Sequence, residues 1–375
     1  MSFSKHNYSV LSLFSGAGGL DLGFEAAGFR LLEAIDINPW CIQTLQKNRP
    51  NWQVILGDVR DYYPEKQPDV LLAGVPCQGF SLGGNRQAND SRNMLYKEVI
   101  RVAKFCQPRI VLIENVLNLR TMKSPETNLP FNEQIIQEFE QIGYQVFHDI
   151  FKVCYYGVPQ TRRRFVFIAF REKAPLGYYL PPPGEITTIR DFLYDLAHGK
   201  GTNLPNHHPE WGFNSKVHRE TGEPFDITEE VVPVRLSRTA SDGHPIRSFD
   251  APFPAIDTAT IWGWAQGNVV ANRYFKDPFL SQHSKGGERL WRLSASRIRS
   301  FSDREYARLQ TFPDDWVFMG KTKRDIHRQI GNAVPVEFAK VIAQNIKKAL
   351  ECLDRQKRFT EQLEQCADFW QLSLF

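Results

Sequence analysis

A cysteine on a turn at the end of an apolar run is the first residue of this chain whose type and placement could do chemistry. Val70-Leu71-Leu72-Ala73 reads as a buried strand, and Gly74-Val75-Pro76-Cys77-Gln78-Gly79-Phe80-Ser81 follows it directly. Pro76 restricts the residue before it, so such a turn would hold the Cys77 thiol in a fixed place, as a nucleophile requires. A lone cysteine is also an ordinary small buried hydrophobe, and the local sequence does not decide between the two. The ends of the other apolar runs bear on the choice. Tyr8 to Phe14 runs into Ser15-Gly16-Ala17-Gly18-Gly19, Leu31 to Ile35 ends at Asp36, Val54 to Leu56 ends at Gly57-Asp58, and Ile110 to Ile113 ends at Glu114-Asn115-Val116.

The elements that must position these residues alternate between short apolar runs and amphipathic stretches, which predicts βαβ units and an α/β fold with a doubly wound, mainly parallel sheet. Helices are expected at about Leu20 to Ala27, Met94 to Phe105 and Asn132 to Ile142, with further strands at Tyr144 to Val153 and Phe165 to Phe170. In open sheets of this kind ligands bind beyond the carboxyl ends of the strands. Five strand ends should therefore line one crevice, with a cofactor-like half at Phe14, Asp36 and Asp58 and a chemistry-like half at Cys77 and Glu114. Pro181-Pro182-Pro183-Gly184 marks a domain edge. Residues 1–185 read as a catalytic and cofactor-binding domain, 186–325 as a smaller irregular domain, and 326–375 as a segment that returns to the first. In that last segment Pro335 opens a long helix with apolar residues at 338, 341, 342, 346, 349, 350 and 353.

Composition narrows the class. With 375 residues, 42% hydrophobic and 23% charged, the chain is long enough for two domains and ordinary for a folded protein. No run approaches the ~18 apolar residues that span a bilayer, so a cytoplasmic protein that is not membrane-bound is expected. Six cysteines without a C-x-x-C pair indicate neither a zinc site nor a disulfide framework. The histidines show no metal spacing, so no metal is expected. The net charge of +4 is small, but Arg289 to Arg328 holds ten Lys or Arg against five Asp or Glu. That stretch is either a phosphate-binding face or a solvated helix surface.

The glycine-rich turn could begin a dinucleotide fingerprint, but Asp21 stands where its third glycine should be. A nucleotide-like cofactor without a pyrophosphate fits better, with Asp36 placed for ribose hydroxyls and Asp58 for an adenine amino group. At this point six blocks resemble, in order, the motif set of the DNA (cytosine-5)-methyltransferases of the bacterial restriction-modification type. They are Phe14-Ser15-Gly16-Ala17-Gly18-Gly19, the Gly74 to Ser81 turn, Glu114-Asn115-Val116, Gln160-Thr161-Arg162-Arg163-Arg164, Arg304 to Pro313, and Gln329-Ile330-Gly331-Asn332-Ala333-Val334-Pro335.

The resemblance implies a Rossmann-like, S-adenosylmethionine-dependent methyltransferase domain. It also implies methyl transfer to carbon 5 of a flipped-out cytosine within a short duplex sequence. Cys77 would add to carbon 6, Glu114 would contact N3 and the exocyclic amine, and Arg162 and Arg164 would hold the base and the catalytic loop. Phe14, Gly16, Gly18, Asp36, Asp58, Val59, Asn332 and Val334 would hold the cofactor. Asp36 departs from the glutamate common at that position, and Asn93 from a common glycine. Residues 186–325 become the target-recognition domain, where Arg235, Arg238, Arg247 and Gln266 are candidates for contacting DNA, as are Gln78 and Ser81 of the cysteine turn. The implied partner is double-stranded DNA, with a cognate restriction endonuclease acting separately and the enzyme itself a monomer. Alternatives are a tRNA cytosine-5 methyltransferase of the same family, a catalytically silent relative, and a nicotinamide-dependent oxidoreductase.

Overall fold

The computed structural model describes residues 8–76, 91–199, 203–209, 212–213, 226–228, 230–236, 247–258, 260–267, 269–271, 293–294 and 297–372. Two compact units make up the chain, one of Met1–Lys152, Arg163–Gly184 and Val334–Phe375, the other of Val153–Arg162 and Glu185–Ala333.

In the first unit, β1 (Ser9–Leu13), β2 (Arg30–Asp36), β3 (Val54–Leu56), β4 (Val70–Gly74) and β5 (Ile110–Asn115) are parallel. Two antiparallel strands, β6 (Gln145–Lys152) and β7 (Arg163–Phe170), complete a sheet of order β3-β2-β1-β4-β5-β7-β6. The central strands are apolar on both faces because both are covered, as parallel sheets require. Leu11, Leu13, Leu71, Ala73, Val111 and Ile113 point into a core shared with α3 (Tyr96–Cys106) and α4 (Phe131–Gln141).

The other layer holds α1 (Gly19–Ala26) and the C-terminal helix α8 (Val336–Leu372), whose Phe338 meets Phe151 of β6. These two helices touch most closely at Gly23. A Cβ added there would lie 2.6 Å from the Lys340 amide nitrogen and against the Ala339 side chain, so only glycine fits. The α/β, doubly wound, mainly parallel architecture read from the sequence is the one observed.

Between β2 and β3 the structure adds α2 (Pro39–Asn48), which the sequence reading did not anticipate. Its signals were local: Asn38 accepts from the Trp40 amide at 3.0 Å as N-cap, and Pro39 opens the first turn.

The second unit contains more regular structure than the irregular stretch expected. It has α5 (Arg190–Ala197), then β8 (Gly212–Phe213), β9 (Asp226–Thr228), β10 (Val232–Arg235), β11 (Trp262–Gln266), β12 (Val269–Ala271), β13 (Leu293–Ser294) and β14 (Arg297–Ser300). These strands form two antiparallel sheets, of order β10-β11-β14-β8 and β13-β12-β9. Strands of two to five residues are too short to show a period, which is why they were missed. Then come α6 (Asp303–Leu309) and α7 (Lys323–Asn332), each opened by a capping box, Ser302 with Glu305 and Thr322 with Asp325. No helix among the described residues is long and apolar enough to cross a membrane.

Candidate active site

Strand order reverses between β1 and β4, since the chain leaves β1 for β2 on one side and β4 lies on the other. At such a switch point the loops beyond the carboxyl ends diverge and leave a crevice. Phe14, Asp36, Asp58, Val75-Pro76 and Glu114 all lie at or just beyond that edge. The register is tight: Leu13 stands opposite Ile35 and Ala73, and Gly74 opposite Glu114. Phe14 takes the left-handed backbone conformation, φ 55°, which costs a non-glycine residue roughly 1–3 kcal/mol and is typical of functional turns. Its carbonyl oxygen is 3.6 Å from where a Cβ on Gly74 would stand, so the cofactor-like turn and the root of the cysteine turn adjoin. Cys77, Gln78 and Ser81 themselves lie outside the described residues.

On the cofactor-like side Gly16 and Gly18 have φ of 56° and 85°, which only glycine adopts freely. Among the described residues, leaving out its chain neighbours, nothing lies within 4 Å of a Cβ position on Gly16, so these residues leave space beside the turn. The Gly16 amide donates to Asp36 Oδ2 at 2.8 Å and the Asn38 amide to Oδ1 at 2.8 Å. Burial raises the Asp36 pKa, and these two amides oppose the rise. A carboxylate held this way keeps lone pairs for further donors such as ribose hydroxyls. Asp58 caps the short helix Val59–Asp61, and both of its oxygens accept from Arg60, which holds its pKa below the usual range. The Val59 side chain is buried in the core, so only its main chain is placed to meet a ligand. Phe14, Gly16, Gly18 and Asp36 thus form one group, with Asp58 on the adjoining strand end.

On the chemistry-like side Glu114 ends β5, and Arg164 lies on β7. Val166 is directly opposite Glu114, so Arg164, two residues along on the same face, reaches it diagonally. Arg164 Nε and Glu114 Oε1 form an ion pair with each side chain 11% exposed. Burial raises the Glu114 pKa, and the Arg164 cation partly offsets it. Arg163, between them in alternation, is exposed on the other side.

Arg162 has a different setting. It belongs to the second unit, is 4% exposed, and its Nη1 donates to the carbonyls of Ile256 at 3.2 Å and Gly331 at 3.0 Å. Around it the motif blocks bind one another. Gln160 donates to the Leu309 carbonyl and to Gln310 Oε1, while Gln310 donates to the carbonyls of Ile330 at 2.8 Å and Ala333 at 3.2 Å. These two buried amides were not singled out from the sequence, although both stand inside the quoted blocks. Asn332 is exposed at the end of α7 in the second unit, and Val334 is buried just ahead of α8 in the first.

The base-reading candidates separate into two places. Arg235 stands opposite Trp262, and the Arg247 guanidinium lies 5.6 Å from the Trp262 ring centre. Gln266 is at the far end of β11, ~13 Å along the strand. Arg238 lies outside the described residues. Arg299, Arg304 and Arg308, from the basic stretch, turn inward. Arg299 pairs with buried Glu305 at 2.7 Å, Arg304 donates to the carbonyls of Pro205, Pro313 and Trp316, and Arg308 pairs with Asp195 and Asp314. The phosphate-binding face expected from the stretch as a whole is therefore reduced to its remaining cations.

Comparison with known proteins agrees with this geometry. Residues 8–348 match the family model described as C-5 cytosine-specific DNA methylase. The chain is 33% identical to the Type II methyltransferase M.FnuDI of Fusobacterium nucleatum, covering 93% of this chain and 97% of that one. It is 32% identical to the Type II methyltransferase M.MthTI of Methanothermobacter thermautotrophicus, covering 92% and 98%. Its fold is similar to that of a putative DNA modification methyltransferase encoded within an E. coli prophage, at TM-score 0.57 and 23% identity over 92% of this chain and 99% of that one. Spodoptera frugiperda DNMT2 is also similar in fold, at TM-score 0.56 and 17% identity over 91% and 98%. With the strand-end crevice, the ordered motif blocks and a family match over most of its length, the chain belongs to the C-5 cytosine-specific DNA methylases and is a DNA cytosine-5-methyltransferase.

Proposed function

We propose that Cys77 adds to carbon 6 of a cytosine flipped out of a specific duplex sequence, and that S-adenosylmethionine is the methyl donor. The carrying observation is the buried Glu114–Arg164 pair at the carboxyl end of β5, in register with the strand that leads to Cys77. The donor fits what is present: the space that the described residues leave beside Gly16, and an Asp36 carboxylate with lone pairs to spare. When bound it supplies an electrophilic methyl on a sulfonium.

The rest is work for the chain's own residues. Phe14, Gly16, Gly18, Asp36, Asp58, Val59, Asn332 and Val334 hold the cofactor. The Cys77 thiolate forms a bond to carbon 6, and the displaced electron pair makes carbon 5 nucleophilic. Glu114, whose pKa is raised by burial against the opposing Arg164 cation, is the group that shares a proton with N3 as negative charge develops on the ring. Arg164 fixes that carboxyl and meets the base. After methylation a water molecule takes the proton from carbon 5, the electrons of that C–H bond re-form the 5,6 double bond, and the C6–S bond breaks to release the Cys77 thiolate. A free thiol near pKa 8.5 is only a few per cent ionised at neutral pH, so the closed site must favour the thiolate. Flipping costs a few kcal/mol, supplied by contacts with the extruded base.

The second unit serves target recognition in this reading, with Arg235, Arg238, Arg247 and Gln266 as base-reading candidates. The relatives' names as Type II methyltransferases support a modification enzyme; the further reading is that it works as a monomer and protects a short sequence from a separate endonuclease. Purified protein with S-adenosylmethionine should make 5-methylcytosine at one sequence context by bisulfite sequencing. Cys77→Ser should lose turnover and keep DNA binding; full turnover in that variant would refute the covalent step.

A further inference from the structure

With Arg299, Arg304 and Arg308 assigned to the interior of the second unit, four of the remaining cations between Arg289 and Arg328 fall on or beside α7, while Arg297 is exposed on β14. Lys321, Lys323, Arg324 and Arg328 are all exposed, and none forms an ion pair among the described residues. The nearby carboxylates offset them only in part: Asp325 stays ionised beside Arg328, and the four cations leave a positive surplus along the stripe. Asp325 accepts from the Thr322 amide and hydroxyl at 2.9 and 2.8 Å, and Asp303, which Lys323 faces, is largely buried at the start of α6.

The helix that carries this charge is held rigidly. Gln329, Ile330 and Gly331 of α7 are buried, and a Cβ on Gly331 would come within 2.9 Å of the Asp257 carbonyl oxygen. On the exposed side Arg324 and Arg328 are one turn apart, and Asn332, also exposed, follows at the same spacing. Lys321 and Lys323 extend the stripe past the first turn. From 321 to 328 it spans about 10 Å, over which a duplex presents several phosphates.

We infer that the exposed face of α7, through Lys321, Lys323, Arg324 and Arg328, binds the sugar-phosphate backbone of duplex DNA independently of its sequence. The inference rests on the reading that the chain acts on duplex DNA. Such contacts release condensed counterions, so each neutralised phosphate contributes about 0.9 to the slope of log affinity against log salt.

The test measures binding of a labelled duplex lacking the target site by the full chain across about 50 to 200 mM salt. K321A/K323A/R324A/R328A should lower the slope by about 3 to 4, so that the affinity advantage of the unsubstituted protein shrinks about 100-fold over that range. R324K/R328K should keep the original slope, because charge rather than fork geometry makes the contact. At saturating target DNA the quadruple variant should keep its kcat and its KM for S-adenosylmethionine, with a raised KM for DNA. An unchanged slope in the quadruple variant, with methylation intact, would overturn the stripe alone. Absence of methyl transfer to DNA by the unsubstituted protein would instead overturn the reading beneath it.

Discussion

Replacing Asp21 by asparagine should remove a fall in stability between about pH 4 and pH 7, and the size of the effect follows from where the carboxyl sits. Asp21 lies in the first turn of α1, 1% exposed, with neither oxygen hydrogen-bonded. The Ser12 hydroxyl on β1 faces it without making a hydrogen bond of good geometry, and Asp36 and Glu25 add negative charge nearby. Burial, first among these causes, pushes its pKa up to about 7 from 3.8. The folded state therefore keeps a proton on Asp21 that the unfolded chain releases above about pH 4. Stability falls by about 1.4 kcal/mol per pH unit from about pH 4 to about pH 7 and is level beyond, roughly 4 kcal/mol in all as an upper bound. Asparagine cannot ionise, so Asp21→Asn should gain on the unsubstituted protein by about 3 kcal/mol between pH 5 and pH 8. Urea unfolding of both proteins at pH 5, 6, 7 and 8 measures this. Asparagine's own unmet polar atoms shift every point alike, so only the change with pH counts. A difference constant across the series would refute the argument from burial.

Two packing predictions test the units separately. Gly23→Ala should destabilise the first unit by up to about 2 kcal/mol, because a clash with the main chain of α8 costs about 1–3 kcal/mol against the ~1 kcal/mol that alanine adds to a helix; a raised unfolding midpoint would contradict the close approach. In the second unit, Glu305 accepts from Arg299, from the Trp264 indole and from the Ser302 amide. Glu305→Ala leaves the Arg299 cation buried and unpaired, and should cost about 3–5 kcal/mol by denaturant unfolding.

Much of the catalytic crevice was legible in the sequence. Phe14, Asp36, Asp58 and Glu114 each end or follow an apolar run, and a run of that kind, with glycine or a carboxylate at its end, is a local pattern that survives into the fold, while Cys77 lies outside the described residues. The exposed face given to Arg163 by alternation was legible for the same reason. Of the helices missed, α2 and α7 carried caps that a reading by hydrophobic period passes over, whereas α5 has no side-chain cap and only eight residues. The strands β8 to β14 were not legible by period, because each is held by partners far away in the chain.

The sequence by itself determined the order of strand ends, the switch from glycine turn to thiol turn, and the excess of cations between Arg289 and Arg328. Only the tertiary structure decided what those cations do. Arg304 is fixed by carbonyls at Pro205, Pro313 and Trp316 and Arg299 by Glu305 beneath Trp264, while Arg324 and Arg328 stay exposed. It likewise separated Arg164, paired with Glu114, from Arg162, bonded to Ile256 and Gly331. The physical reason is the same in each case. Strand ends are set by residues adjacent in the chain, whereas the partner of a buried charge is chosen by packing, from 6 positions away for Arg299 and Glu305 to 169 for Arg162 and Gly331, and no local pattern encodes that choice.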